Sequence, residues 1–108
     1  MTEIDSELYT MIEALKQSKT YREYDRRRVA LKSDPELKKR VDAYRLENYT
    51  LQTQEDDGTL QERIEEFARS NMGLSEDPRV RPFLDAESAL CRMLQEITDR
   101  IINAINFE

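Results

Sequence analysis

The sequence predicts an all-α protein: an antiparallel helical hairpin or bundle of about four to five helices with a long C-terminal helix, oligomerising, as a single helical domain over residues 1–108. Three observations carry that reading. Asp-Pro pairs stand 43 positions apart, at Asp34-Pro35 and Asp77-Pro78. Leu37, Val41, Asp42 and Ala43 follow the first, and Val80, Leu84, Asp85 and Ala86 follow the second in the same relative positions. Asp is a favoured N-cap, and Pro suits the first helical position because its missing N–H has no intrahelical partner there. The second observation is that apolar residues recur at three- and four-residue steps, which places them on one face of a helix. The third is compositional. Two glycines, three prolines and no tryptophan leave little turn material for a β sandwich or barrel, while the Leu, Ala, Glu, Lys, Arg and Gln content favours helix.

The elements follow in order. Ile4, Leu8, Met11, Ile12 and Leu15 form one face of a first helix. Ser18 interrupts it, and Tyr21, Tyr24, Ala30 and Leu31 continue to residue 32, as one helix or two. A second helix starts at Pro35 with Asp34 as cap, burying Leu37, Val41, Tyr44 and Leu51, with Tyr49 beside them. It closes at Glu55-Asp56-Asp57-Gly58, where Gly58 is free to take the left-handed conformation. A third helix, about residues 60–72, carries Leu60, Ile64, Phe67 and Met72, and Gly73 ends it in the same way. Pro82, four residues after Pro78, would break a turn begun there. The sequence therefore predicts a short turn at 78–81 and a last helix from Pro82 to Asn106, roughly 37 Å long.

At 108 residues, with 37% charged and 38% hydrophobic side chains, the chain buries a modest core and draws stability from association. Its acidic start, Met1-Thr2-Glu3-Ile4-Asp5, is no secretory signal. No apolar run approaches the ~20 residues that span a bilayer, and one cysteine makes no internal disulfide, so a cytoplasmic location is expected. The net charge of −6 is uneven. Residues 22–45 hold nine Lys/Arg against five Asp/Glu, a local +4, and the rest holds eight against eighteen, which is −10.

Nothing in the residue inventory points to catalysis. Histidine is absent, which removes the commonest general base and the Glu-x-x-His motif of helical di-iron proteins. Glu62, Glu65, Glu66 and Glu87 read as exposed charge, and Cys91 as a buried small hydrophobe between Leu90 and Met93. There is no glycine-rich phosphate loop and no nucleophile–base pair. A non-enzyme without metal or cofactor is expected.

Two surfaces stand out. Leu90, Met93, Leu94, Ile97, Ile101, Ile102 and Ile105 cover about half the circumference of the last helix, more than one packing seam needs. They are the expected contact with another copy of the chain. The second surface is the basic segment, Arg22, Arg26, Arg27, Arg28, Lys38, Lys39 and Arg45 with Lys32 and Arg40, interleaved with Tyr21, Tyr24, Tyr44 and Tyr49. It reads as a contact for another protein. The alternative is a direct RNA-binding module over residues 22–45, since basic and aromatic residues together bind single strands by stacking and phosphate contact. The acidic remainder of the chain and the diluting Glu23, Asp25, Glu36 and Asp42 weigh against it.

The pattern resembles the YlbF/YmcA/YheA family of small helical bacterial proteins. Leu15, Ser18, Tyr21 and Tyr24 carry it first, then Asp34-Pro35-x-Leu37, Val41, Tyr44 and Leu51-Gln52-x-Gln54 before Gly58. It continues with Asp77-Pro78-x-Val80, Phe83-Leu84-x-Ala86-Glu87, Leu90, Leu94, Ile97 and Ile101, so that it covers about residues 5–105. Pro82 departs from it. The resemblance implies antiparallel helices that self-associate and no catalytic residues. It also implies an adaptor role in a complex linked to ribonuclease Y and messenger RNA processing, with effects on competence, sporulation and biofilm formation. Some relatives carry C-terminal cysteines associated with an iron–sulfur cluster. Here the chain ends Asn103-Ala104-Ile105-Asn106-Phe107-Glu108 and lacks them.

Overall fold

The structure, a computed structural model, describes residues 2–105. Among them it is all-helical, with α1 Asp5–Gln17, α2 Lys19–Lys32, α3 Pro35–Thr53, α4 Leu60–Ser70, α5 Met72–Ser75 and α6 Arg81–Ile105.

Local hydrogen bonding explains each boundary. Residues 5–32 form two helices because Ser18 takes an extended backbone, ψ 149°. Its hydroxyl donates to the Leu15 carbonyl at 2.6 Å and accepts from the Tyr21 N–H at 3.1 Å, closing α1 and opening α2. At α3, Asp34 Oδ1 accepts the Leu37 N–H at 3.1 Å and Pro35 fills the first position, as the Asp-Pro pair predicts. The far end differs from expectation. α3 stops at Thr53, and Gly58, at φ +95°, lies in the connecting loop rather than at the helix end. Asp56 Oδ1 captures the Gly58 N–H and Asp57 Oδ1 the Thr59 N–H, at 2.8 and 3.0 Å. Such short-range carboxylate–amide bonds compete with helix continuation.

Gly73 is also corrected. It does not end the third helix but lies within α5, a turn that periodicity did not reveal. α4 ends instead at Asn71, whose side-chain amide donates to the Phe67 carbonyl at 2.8 Å. The Asp77 side chain accepts the Arg79 N–H at 2.8 Å while its carbonyl takes the Val80 and Arg81 N–H groups. That is the expected turn, and α6 begins one residue before Pro82. The ring therefore occupies the first turn of α6, where its missing N–H is not needed. The expected end of this helix at Asn106 lies outside the described residues.

The core forms where the C-terminal end of α2, the N-terminal end of α3, α5 and the N-terminal end of α6 converge. Leu31, Leu37, Val41, Leu74, Val80 and Phe83 make one buried cluster, with Tyr24, Tyr44 and Leu84 packed against it. Tyr24 meets Phe83 at 5.8 Å between ring centroids, and Tyr44 stacks on Phe67 at 5.0 Å. α2 makes its main contact with α6. The aspartates of the two Asp-Pro pairs, Asp34 capping α3 and Asp77 holding the turn before α6 rather than capping a helix, are joined across this junction by Arg79 at 3.2 and 2.8 Å. Asp34→Ala removes the α3 cap and one end of this bridge. The expected loss is about 0.5–2 kcal/mol, read as a lower urea midpoint at unchanged slope.

Away from the core the chain is open. Its radius of gyration is 17.4 Å, against about 13 Å for a compact domain of this length. It exposes 8609 Å², where a compact monomer of 12.8 kDa exposes about 6,300 Å². Ile4, Leu8, Met11 and Ile12, the apolar face of α1, are exposed, as are Met72 and Ile64. Tyr49, expected beside the buried side of α3, is 65% exposed. Cys91, expected inside, is exposed as well, because α3 does not cover its side of α6.

Candidate interaction surfaces

The apolar half of α6 consists of two seams rather than one. Ala86, Leu90, Met93 and Ile97 follow steps of four, three and four; Ala86 is buried and the others are half-buried, so this seam is covered within the chain. The second seam, Glu87, Cys91, Leu94, Thr98, Ile101 and Ile105, keeps the same stepping on a neighbouring face. It begins beside α3 and then runs out uncovered, with Leu94 41%, Ile101 46% and Ile105 61% exposed and Ile102 exposed on its flank. The seven positions singled out from sequence therefore divide. Leu90, Met93 and Ile97 pack intramolecularly; Leu94, Ile101, Ile102 and Ile105 face outward.

Where the second seam begins, α3 and α6 enclose a groove of about 510 Å³ whose lining includes Tyr44, Arg45, Tyr49, Glu87 and Cys91. Sequence reasoning missed it. Its only signal was the separate 87–91–94–98–101–105 stepping, which merges with the covered seam when the apolar residues are read together. Arg45 holds the groove floor. It pairs with Glu87 on α6, lies 3.6 Å from Asp42, and sets its guanidinium 5.4 Å from the centre of the Phe83 ring. Burial is the largest single influence and works against its charge, but the hydrogen bond to Glu87 together with the charges of Glu87 and Asp42 and the nearby Tyr24 raises the guanidinium above its ordinary value.

The basic segment is largely occupied by its own chain. Arg26 and Arg27 both grip Glu23, at 2.6 and 2.8 Å, and their hydrogen bonds hold the Glu23 carboxyl below its usual range. Arg28 pairs with Asp25 and Lys38 with Asp42, each at 2.6 Å. Arg22, Lys32, Lys39 and Arg40 make no ion pair among the described residues, so five of the nine cations are held. Each of these exposed pairs contributes little stability, yet together they turn several cations toward carboxylates. The aromatic partners are also engaged, since Tyr24 and Tyr44 lie against the core. Tyr49 is exposed, but on the groove side of α3. At the α5–α6 turn, hydrogen bonds from Arg79 lower the Asp77 carboxyl to about 2, consistent with a structural bridge.

Among the described residues no group of three or more His, Cys, Asp or Glu could hold a metal ion, and no helix is long and apolar enough to cross a membrane. No curated protein and no solved structure matches the chain. A family model described as "Control of competence regulator ComK, YlbF/YmcA" matches residues 4–106, nearly the whole length. That match joins the capped helices, the Ser18 break and the long α6 to one set of regulatory proteins: the chain belongs to the YlbF/YmcA family.

Proposed function

We propose that the protein is a non-enzymatic cytoplasmic adaptor, homo-oligomeric through α6, that presents the α2–α3 surface over residues 21–46 to a protein partner in a regulatory complex. The observation that carries this reading is the large uncovered surface: an open molecule with a second apolar seam on α6 and an exposed apolar face on α1. Contiguous exposed apolar surface of this kind marks protein contact. The family's connection with control of a competence regulator supports a regulatory role. The resemblance to relatives acting with ribonuclease Y suggests the class of complex.

Direct RNA binding by residues 22–45 is the second reading. An RNA phosphate would have to compete with Glu23, Asp25, Asp42 and Glu87 for the arginines and lysine they hold. Charge reversal at Arg26, Arg27 and Arg28 separates the two. For an adaptor, the purified protein shows negligible RNA affinity at about 150 mM salt, and the reversal removes a nuclease-insensitive protein from a lysate pulldown. Tight, steeply salt-dependent RNA binding lost on the same reversal would establish the second reading instead.

A further inference from the structure

The exposed α6 seam determines how two copies would meet. We propose that a second copy of this chain docks antiparallel along Leu94, Thr98, Ile101 and Ile105, so that Leu94 of each protomer faces the partner's Ile105 and Thr98 faces the partner's Ile101. The inference rests on the self-association proposed above and adds its geometry.

Area argues for a second copy. The chain exposes 8609 Å², about 2,300 Å² more than a compact monomer of its mass. That excess falls in the range each subunit of an obligate homodimer buries. A two-fold interface uses the same patch on both subunits, and this seam is self-complementary. Its three- and four-residue steps read alike in either direction, as an antiparallel helix pair requires. Four side chains per copy cover only part of that excess, and Ile102, exposed on the flank of the seam, extends the patch.

Sterics exclude the parallel arrangement. α3 stands over the start of the seam, where Tyr44, Tyr49 and Arg45 oppose Glu87 and Cys91 across the groove. A parallel partner would bring its own α3 to the same place. An antiparallel partner carries its α3 to the opposite end, and only the stretch beyond Cys91 is shared. Register follows from charge. Sliding the pair by one heptad toward the α6 N-terminus would set Ile105 against the partner's Glu87, forcing the Glu87–Arg45 ion pair out of water against an apolar side chain. Sliding it the other way removes Leu94 from the contact.

The test is disulfide trapping in a Cys91→Ser background. Leu94→Cys/Ile105→Cys is expected to form a covalent dimer on mild copper-phenanthroline oxidation, and either single substitution is not. Thr98→Cys/Ile101→Cys is a second, independent pair at solvent-accessible positions. In wild-type protein the two Cys91 thiols lie about 25 Å apart along the paired helices, so oxidation leaves it unlinked. A Cys91-linked wild-type dimer would overturn the antiparallel geometry. So would failure of both pairs in a protein that light scattering shows to be dimeric. A monomer by light scattering would overturn the self-association reading itself.

Discussion

Phe83→Ala is expected to cost about 3–5 kcal/mol, the range for truncating a buried aromatic residue. Phe83 is 3% exposed at the centre of the core cluster. Its ring meets Tyr24 of α2 at 5.8 Å and lies beneath the Arg45 guanidinium of α3 at 5.4 Å. Three helices therefore lose packing when it is removed. The cavity is hard to close, since fully buried Val41 and Val80 belong to the same cluster, Val41 on the capped helix α3 and Val80 in the turn held by hydrogen bonds to the Asp77 carbonyl. Urea denaturation followed by circular dichroism measures the loss. A midpoint within experimental scatter of wild type would mean that the junction of α2, α3 and α6 is not the stabilising core.

Ile101→Asp is expected to convert an oligomer to a folded monomer. The side chain is 46% exposed within the chain, so an aspartate there costs the isolated fold little. In a two-fold contact it appears twice, and each uncompensated carboxylate costs several kcal/mol when removed from water. Light scattering should show half the mass at unchanged helicity. Ile97→Asp is the contrasting variant. Ile97 is half-buried on the covered seam, so its replacement lowers the melting temperature of the fold itself. Equal mass for Ile101→Asp and wild type would remove α6 from the contact.

Much of the helical architecture was legible because its signals are local. Asp34-Pro35, Ser18 and Asp77-Pro78 act through hydrogen bonds spanning two or three residues. The errors came from competition at the same scale. Asp56 and Asp57 form their own turns and leave Gly58 outside the helix end, while Asn71, not Gly73, closes α4. The functional surfaces were less legible because they depend on which helix covers which face. Periodicity identified the apolar half of α6, but only the placement of α2 and α3 divides Leu90, Met93 and Ile97 from Leu94, Ile101 and Ile105. Net charge likewise showed a basic segment without showing that Glu23, Asp25 and Asp42 hold much of it.

The Ser18 hydroxyl places the shape of the whole N-terminal arm under the control of one oxygen atom. It terminates one helix and starts the next, and so shifts the rotational phase of α1 relative to α2. Alanine at this position would favour a single uninterrupted rod from Asp5 to Lys32, rotating the stripe of Ile4, Leu8, Met11 and Ile12 about the arm axis without altering its composition. Which companion the stripe fits is then decided by the break as much as by the apolar residues themselves.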